Sequence, residues 1–442
     1  MPDSEMTDES RDELASAAVV GVDTDEHLSE AALAALPAEV FAESLGDYFK
    51  AWGRRLRNGE SGALPVILGL IAIVIFFQLQ QSVFLSSNNL VNLFVLAALY
   101  VMFGLAELFA LLMSEIDLSI GYLAGAAAFI ATEINNNPVY LPWWVGVVAA
   151  LAFCFAWTFM QGSLITRFGL PSFVVTLGGF LALNGIMLEL ANVDSAALGG
   201  AINLNGASPI YKLVGARMSP ALGWIVLVAG LIALTAVNLR RAQRRRAHGL
   251  TAPPIAVTLL SIAVAAVAGV VLVAICNSNT PTGVPWVVPF VLVILMACQF
   301  LLFQTRFGRY IFAVGANPEA ARRSGINVKM VTTLGFVAGG IVAGFAAMVY
   351  ASNLGGIATD YDGGTIVLYA VAAAVIGGAS LFGGKGRPLN ALLGGLVIAV
   401  VVNGLALMGV SAAVNDIVTA VVLIAAVLLD ALVRRRATAG MR

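Results

Sequence analysis

The sequence predicts an all-α, polytopic membrane protein with about 12 membrane segments, some of them short or re-entrant. Of its 442 residues, 60% are hydrophobic and only 11% are charged, whereas an ordinary soluble domain has about 25% charged residues. The mean hydropathy is +0.93. Apolar runs long enough to cross a bilayer recur along most of the chain, and the basic residues between them fall almost entirely in alternate loops.

Two segments precede the first apolar run. Residues 1–37 are acidic and rich in Ala and Ser, and they lack the basic start and short apolar core of a signal peptide, so we expect a disordered cytoplasmic tail. In residues 38–62, apolar side chains recur at helical spacing beside several basic ones. This pattern predicts an amphipathic helix on the inner membrane surface, with a soluble partner helix as the alternative.

The predicted transmembrane domain covers residues 63–433. Its apolar runs are 63–80, 90–113, 119–135, 142–165, 171–190, 220–239, 253–276, 287–304, 330–351, 366–382, 388–408 and 413–433. Most are long enough to cross about 30 Å of hydrocarbon at about 1.5 Å per residue. Three of them, 119–135, 171–190 and 366–382, are short or interrupted by glycine, so we expect tilted, half-inserted or re-entrant segments there.

The basic residues predict the orientation. The chain has 24 Lys and Arg residues, and all except Lys212 and Arg217 fall in the tail, in the odd-numbered loops or at the C terminus. Because basic loops stay in the cytoplasm, we expect both termini on the cytoplasmic side, including the basic segment 434–442. The loops on the other side are polar with little charge, which fits either solvated connections or a docking surface.

Nothing in the sequence is typical of an enzyme. The cysteines Cys154, Cys276 and Cys298 lie singly in or beside apolar runs, and the two histidines fall outside those runs, which excludes a histidine-based site within the membrane. The run ASLFGGKG at residues 379–386 lacks the first Gly and the final Ser or Thr of a phosphate-binding P-loop. No catalytic or metal-ligating residue is predicted, and any ATP hydrolysis must belong to another chain.

A short charged stretch, Thr305 to Lys329, interrupts the apolar runs. Its middle predicts a helix of about two turns, with Asn317 as N-cap, Pro318 in the first helical position and Gly325 as terminator. An acidic residue lies in the first turn and two arginines lie in the last, as the helix dipole favours. A helix this short is marginal in water, so we expect it to dock on a partner; a well-capped solvated loop is the alternative.

Few acidic residues fall inside the apolar runs. Glu107 lies well inside the second run, and Glu115 and Asp117 follow its end. An ionisable group within the membrane is a candidate for function. Asp117 and Ser119 can also cap the helix that begins next, and we favour this interpretation over a proton relay.

Five motifs resemble one family. They are IDLSIG at 116–121, LPSFVVTLGG at 170–179, GRYIFAVGANPEAARRSGINV at 308–328, VIGGASLFGGKG at 375–386 and LMGVS at 407–411. In this order they resemble the membrane permease of bacterial ATP-binding-cassette (ABC) sugar importers of the ribose and xylose type. The two additional runs, 220–239 and 253–276, are similar to xylose-type members. Glu115 departs from the family, which commonly has a small residue there.

The resemblance implies a transport function and a set of partners. Such a permease holds no cofactor and is not an enzyme; two copies act with cytoplasmic ATPase subunits, which use ATP and Mg²⁺. The implied partners are an ABC ATPase subunit, an extracytoplasmic sugar-binding protein, a second copy of this chain, a monosaccharide with xylose as the leading candidate, and membrane lipid. No nucleic acid is implied. The implied location is the bacterial inner membrane.

Two sets of site residues follow. By resemblance, the helix that couples to the ATPase comprises Asn317, Pro318, Glu319, Ala320, Ala321, Arg322, Arg323, Ser324, Gly325 and Ile326. Its charged members would set the register, while Ala320, Ala321 and Ile326 would pack. A sugar path needs inward hydroxyl and amide groups, and its candidates are Asp117, Ser119, Ser172, Thr176, Asn184 and Asn403. Each could equally hydrogen-bond a neighbouring helix.

Two other functions remain as hypotheses. One is an ion-coupled secondary sugar carrier that uses Glu107. The other is a membrane scaffold or receptor component that transports nothing. A permease of the importer type needs a separate ATPase, whereas an ion-coupled carrier takes up sugar alone.

Overall fold

The structure is a computed structural model of the chain. It describes residues 64–135, 141–198, 201–247, 255–358, 360–411, 413–414, 416–421, 424 and 428. The predicted acidic tail, interfacial helix and basic C-terminal segment lie outside these residues, as does much of the predicted run 413–433. The chain divides into two units, Met1–Arg54 with Val237–Leu260 and Arg55–Ala236 with Ser261–Arg442. The sites described below all lie in the second unit.

The described residues are almost entirely helical. In chain order the elements are α1 (Leu64–Gln80), α2 (Ser87–Leu112), α3 (Ile120–Ile134), α4 (Trp143–Phe168), α5 (Ser172–Leu198), β1 (Ala201–Asn203), α6 (Pro209–Gly215), α7 (Pro220–Ala247), α8 (Ile255–Asn277), α9 (Val287–Gln304), α10 (Arg306–Ala316), α11 (Pro318–Arg323), α12 (Val328–Leu354), β2 (Gly356–Ala358), α13 (Gly363–Ile376) and α14 (Pro388–Leu407). Within the described ranges, 8 helices are long and apolar enough to cross a membrane, and α1, α3 and α13 are shorter apolar helices. The predicted fold class, a polytopic helical membrane protein, is confirmed.

Two of the three segments predicted to be short are short. α3 has 15 residues and α13 has 14. At the rise of an α-helix each extends about 22 Å, less than the hydrocarbon thickness of a bilayer. Both are therefore too short to cross the hydrocarbon on their own.

Two other helices are longer than predicted. The run 171–190 is predicted to be short or broken by glycine, but α5 continues without a break to Leu198. Gly178 and Gly185 face open space, and the helix continues through both of them. α7 extends past the predicted boundary at 239 to Ala247, because arginine is a good helix former and carries the helix beyond the apolar run.

α2 forms the centre of the domain. It packs against α12, α13 and α14, and 94% of its apolar span is buried. α12 is 72% buried, whereas no more than 28% is buried in α4, α5, α7, α8 or α9. The core therefore lies around α2 and α12, and the outer helices present apolar side chains outward, as contact with lipid requires.

A small two-stranded sheet and α11 lie at opposite ends of α12. β1 and β2 pair antiparallel, with Ile202 opposite Ile357, and α6 packs against α12. Because α12 follows α11 in the chain and β2 follows α12, the long helix separates them. We call these two regions the sheet end and the α11 end.

Helices approach each other backbone to backbone at several glycines. A Cβ atom built on Gly394 of α14 would lie 1.7 Å from the carbonyl oxygen of Ala373 in α13. A Cβ atom on Gly121 of α3 would lie 1.9 Å from the carbonyl oxygen of Gly363. Small residues at such crossings give membrane helices their close van der Waals contact.

Replacing Gly394 by alanine should therefore destabilise the protein. The added methyl group forces α13 and α14 apart, and overpacking of this kind costs about 1–3 kcal/mol. Thermal unfolding of the detergent-purified protein measures the effect, with Gly230→Ala as control because Gly230 has nothing within 4 Å. Equal unfolding temperatures for the two variants would contradict the packing described here.

Candidate functional site: a capped surface helix and a buried polar cluster

The N-terminal end of α11 is capped as the sequence predicts. Asn317 Oδ1 accepts a hydrogen bond from the amide of Ala320 at 3.0 Å, and Pro318 occupies the first helical position. Glu319 and Arg322 form an ion pair, but their side chains are 56% and 70% exposed. An exposed pair contributes little to stability, so the helix depends mainly on its caps and on contacts with α10 and α12.

The C-terminal end of α11 forms a Schellman motif. Gly325 is left-handed, with φ of 81°, and its amide donates to the carbonyl oxygen of Arg322 at 3.0 Å. The amide of Ile326 donates to the carbonyl oxygen of Ala321 at 3.1 Å. Glycine suits this position because a Cβ atom disfavours the left-handed conformation. The predicted terminator is thus confirmed.

The predicted coupling residues divide into exposed and buried ones. Ala321 is only 4% exposed, and Ile326 is half-buried against the protein's own core. Ala321 therefore packs inward, against the protein's own core. The exposed residues are Asn317, Pro318, Glu319, Ala320, Arg322, Arg323, Ser324 and Gly325.

The segment before α11 is a second helix that the sequence reasoning missed. α10 begins after Thr305, whose hydroxyl oxygen accepts the amide of Gly308 at 3.2 Å. Its buried residues include Ile311 and Val314, while Arg309 is exposed. The signal was present, because a threonine cap precedes apolar residues at helical spacing.

α10 and α11 are fastened to the end of α2. A Cβ atom built on Gly315 would lie 1.8 Å from the carbonyl oxygen of Leu112, and the amide of Gly384 donates to that same oxygen at 2.9 Å. Ser114 has a φ of 64° and places its hydroxyl 3.0 Å from the carbonyl oxygen of Gly315 and 2.9 Å from that of Phe382. Three segments thus meet at the α11 end.

Four polar side chains form a buried polar cluster between α2, α3 and α4. They are Glu107, Asp117, Ser119 and Gln161, and none is more than 1% exposed. Ser119 Oγ lies 2.6 Å from Asp117 Oδ1 and 3.1 Å from Gln161 Oε1, so one hydroxyl hydrogen serves two acceptors. Glu107 Oε1 accepts the amide of Asp117 at 3.3 Å.

The polar cluster keeps unused hydrogen-bonding capacity. Glu107 Oε2 and Gln161 Nε2 are buried and have no hydrogen-bond partner. Neither Glu107 nor Asp117 pairs with a cation, since the one ion pair within the described ranges joins Glu319 and Arg322. Buried groups left unpaired in this way are rare in native proteins and are often functional.

The turn before α3 is capped in part as predicted. Asp117 Oδ1 accepts the amide of Ser119 at 2.9 Å. Ser119 is the N-cap residue of α3, but its side chain accepts no cap bond there, and its hydroxyl donates to Asp117. Asp117 therefore organises the turn, and Ser119 links the turn to Gln161.

The other predicted path residues lie outside the cluster. Thr176 is buried and donates to the carbonyl oxygen of Ser172 at 2.9 Å, one turn back in α5. Asn184 is half-buried further along α5. Asn403 exchanges amide hydrogen bonds with Asn89, at 2.8 and 3.0 Å. Asn403 thus links α14 to α2.

Gln161 was not predicted, although a polar residue inside a membrane run is a usable signal. The contact that positions Gln161 could not be predicted from the sequence. A Cβ atom built on Gly179 of α5 would lie 2.0 Å from Gln161 Nε2 and 3.4 Å from Ser119 Cβ. Gly179 therefore leaves the space that the Gln161 amide occupies.

The fold, the capped surface helix and the buried polar cluster together define the membrane domain of a transporter. The chain belongs to the family described as "Branched-chain amino acid transport system / permease component", which matches residues 184–427, more than half of its length. Members of this family are transporter subunits and not enzymes. The protein is thus a multi-pass membrane permease.

Three related proteins are named as sugar permeases. The xylose transport system permease protein XylH of Escherichia coli (strain K12) is 32% identical over 375 residues, covering 84% of this chain and 92% of the relative. The D-allose transport system permease protein AlsC of the same strain is 27% identical over 365 residues, covering 83% and 90%. The ribose import permease protein RbsC is 28% identical over 376 residues, covering 84% and 93%. No solved structure matches the chain significantly. The predicted resemblance to sugar permeases is confirmed.

Replacing Gly179 by alanine should destabilise the protein only while Gln161 is present. The added methyl group collides with the Gln161 amide, which must shift to a less favourable side-chain conformation, at a cost of about 0.5–1.5 kcal/mol. Combining it with Gln161→Ala should remove the penalty, because neighbouring sites are not additive.

Unfolding temperatures of Gly179→Ala, Gln161→Ala and the double variant test this coupling, with Gly178→Ala as matched control. Gly178 adjoins Gly179 but has nothing within 4 Å. An equal penalty from Gly179→Ala with and without Gln161 would contradict the contact.

Proposed function

We propose that this chain is the membrane permease of an ATP-driven importer and moves a monosaccharide into the cytoplasm by alternating access. The family description mentions branched-chain amino acids, but the three relatives above are named for xylose, allose and ribose. Xylose is the first candidate, because xylose permeases reach 32% and 30% identity, against 27% and 28% for the allose and ribose relatives.

The polar cluster is the observation that carries the proposal. A monosaccharide presents several hydroxyl groups, each a donor and an acceptor, and it must be released as well as bound. The unpartnered atoms Glu107 Oε2 and Gln161 Nε2 offer an acceptor and a donor. Asp117 and Ser119 complete a set that can exchange its internal bonds for bonds to a sugar.

The exposed face of α11 fits the ATPase-coupling role. A six-residue helix is too short to be stable alone, yet this one carries a full set of caps and presents two arginines outward. We infer that a cytoplasmic ATPase subunit binds this face and that a sugar-binding protein docks at the sheet end. A second copy of the chain completes the transporter.

The charge distribution supports this orientation. The α11 end carries Arg306, Arg309, Arg322 and Arg323, whereas Lys212 lies on α6 near the sheet end. Because basic segments remain in the cytoplasm, α11 faces the cytoplasm of a bacterial cell and the sheet end faces outward. Both termini are then cytoplasmic.

Alternating access follows from the contacts at the α11 end. Binding and hydrolysis of ATP by the partner move α11 and, through Gly315, the end of α2. The turn that follows α2 carries Asp117, whose amide bonds to Glu107. Movement of α11 therefore displaces the polar cluster. The cluster is closed to a substrate when its members hydrogen-bond to one another.

An ion-coupled carrier is the second candidate, and one observation favours it. Glu107 is completely buried and its Oε2 atom has no partner, as a proton-binding carboxyl group in a carrier would be. In such a carrier the chain alone would concentrate sugar, and Glu107→Gln would abolish that uptake. The family membership favours the importer.

Reconstitution distinguishes the two functions. Proteoliposomes that contain the permease, its ATPase subunit and a xylose-loaded binding protein should hydrolyse ATP faster than without the loaded binding protein and should accumulate xylose. Vesicles with the permease alone should accumulate none, whether or not an ion gradient is present. Gradient-dependent uptake by the permease alone would overturn the importer proposal.

Reversing both arginines of α11 should prevent ATPase binding. Arg322→Glu with Arg323→Glu changes the charge of an exposed face, so the unfolding temperature should hold while the copurified ATPase falls at least about tenfold. Lys212→Glu, an exposed charge reversal near the sheet end, is the control and should leave copurification unchanged. Full copurification of the double variant would contradict the coupling role.

A further inference from the structure

The two short helices, α3 and α13, begin beside each other. A Cβ atom built on Gly121 would lie 1.9 Å from the carbonyl oxygen of Gly363, and the hydroxyl of Tyr361 donates to the carbonyl oxygen of Gly121 at 2.6 Å. Helices that begin within a membrane domain bring several chain segments to one place and commonly frame a substrate site in transporters.

An aromatic group surrounds this meeting point. The ring of Tyr122 in α3 lies edge-on to the ring of Phe180 in α5, with centroids 4.7 Å apart. Tyr361 lies 6.1 Å from Tyr122 and 4.8 Å from Tyr350 in α12. Tyr122 and Tyr361 are buried, while Phe180 and Tyr350 are half-buried.

Phe180 is only partly buried. Its ring tip lies next to Gly364, at the beginning of α13. A Cβ atom built on Gly364 would lie 3.5 Å from Phe180 Cζ and 3.2 Å from Asp362 Oδ1, so the ring and the carboxylate border the same space. Asp362 is exposed and caps α13.

The aromatic group adjoins the polar cluster along two helices. Tyr122 lies one turn beyond Ser119 in α3, and Phe180 follows Gly179, against which the Gln161 amide is packed. Gln161 is 1% exposed and its Nε2 atom has no partner. The unpaired Gln161 donor therefore packs against the residue that precedes Phe180 in α5.

We infer that Phe180 is the stacking platform of a monosaccharide-binding site, with Gln161 and Asp362 as hydrogen-bonding residues on either side. A sugar ring has an apolar face of C–H groups and an edge of hydroxyls. The apolar face lies on Phe180, while the hydroxyls accept from Gln161 Nε2 and donate to the Asp362 carboxylate. This inference rests on the proposed function and names its binding site.

The site selects a cyclic sugar by shape. Stacking requires a flat apolar face, which a pyranose has and an open-chain polyol lacks. The rings of Tyr122 and Phe180 are nearly perpendicular, and this contact holds the platform ring in place. Xylose is accordingly a ligand, and xylitol, with the same number of carbons but no ring, is not.

Saturation-transfer NMR on the purified full-length chain tests the site without the ATPase. Irradiation of the protein should transfer saturation to the ring protons of xylose and leave xylitol unaffected. Phe180→Tyr keeps a flat ring and should retain the transfer. Phe180→Leu keeps apolar bulk without a flat face and should reduce the transfer about fivefold or more.

A matched control comes from α4. Phe159 is 42% exposed and stacks on Phe155 with centroids 5.9 Å apart, on the outward side of the domain. Phe159→Leu should leave the xylose signal unchanged. Transfer to xylitol equal to that for xylose, equal transfer in wild type and Phe180→Leu, or no transfer to xylose in wild type would each overturn the site.

Transport separates this inference from the proposed function. In proteoliposomes with the ATPase and saturating loaded binding protein, Phe180→Leu should fold, copurify with the ATPase and import xylose about fivefold or more slowly than Phe180→Tyr. Equal import by these two variants overturns the stacking role alone. Absence of ATP-driven import in wild type overturns the proposed function instead, whatever the NMR shows.

Discussion

The close backbone packing around α2 is the constraint on which the rest of this structure depends. Lipid is as apolar as a leucine side chain, so membrane helices associate through van der Waals contact between small residues and through hydrogen bonds. A Cβ atom built on Gly339 of α12 would come within 2.8 Å of the carbonyl oxygen of Ala106, and one on Gly395 of α14 within 2.7 Å of the amide nitrogen of Val101. With α2 fixed in this way, the position of Glu107 and of the turn after α2 is fixed as well.

Burying polar groups in such a core costs free energy, so their arrangement indicates where the protein's function lies. A buried polar atom without a partner costs about 1–3 kcal/mol, and Glu107 and Gln161 each have one. A scaffold that binds no ligand gains nothing from unpaired buried groups. A transporter needs polar groups that exchange hydrogen bonds within the protein for hydrogen bonds to its substrate. The rings of Tyr122 and Phe180 follow these groups along α3 and α5, and the proposed sugar site combines the two.

The features that the sequence predicts well are local ones. Caps at Asn317 and Gly325 depend on neighbours within a few residues, and membrane runs depend on composition, so both could be recognised in advance. The positions of most apolar helices and the family motifs could be recognised for the same reason. The proposed site could not be predicted in this way. Gln161 occupies space left by Gly179 of another helix, and this contact cannot be read from the sequence. Phe180 is one of many apolar residues, and only its neighbours in the fold distinguish it. Contacts between helices distant in sequence decide such positions.

In the proposed importer, the ATPase subunit binds α11. Movement of α11 then reaches α2 through α10, and the polar cluster through the turn after α2. Hydrogen–deuterium exchange of the amides in residues 317–326 measures that contact directly. The account predicts rapid exchange in the isolated chain and strong protection when the ATPase subunit is added, with the amides of β1 unaffected. Unchanged exchange of this segment in the fully assembled transporter would contradict it.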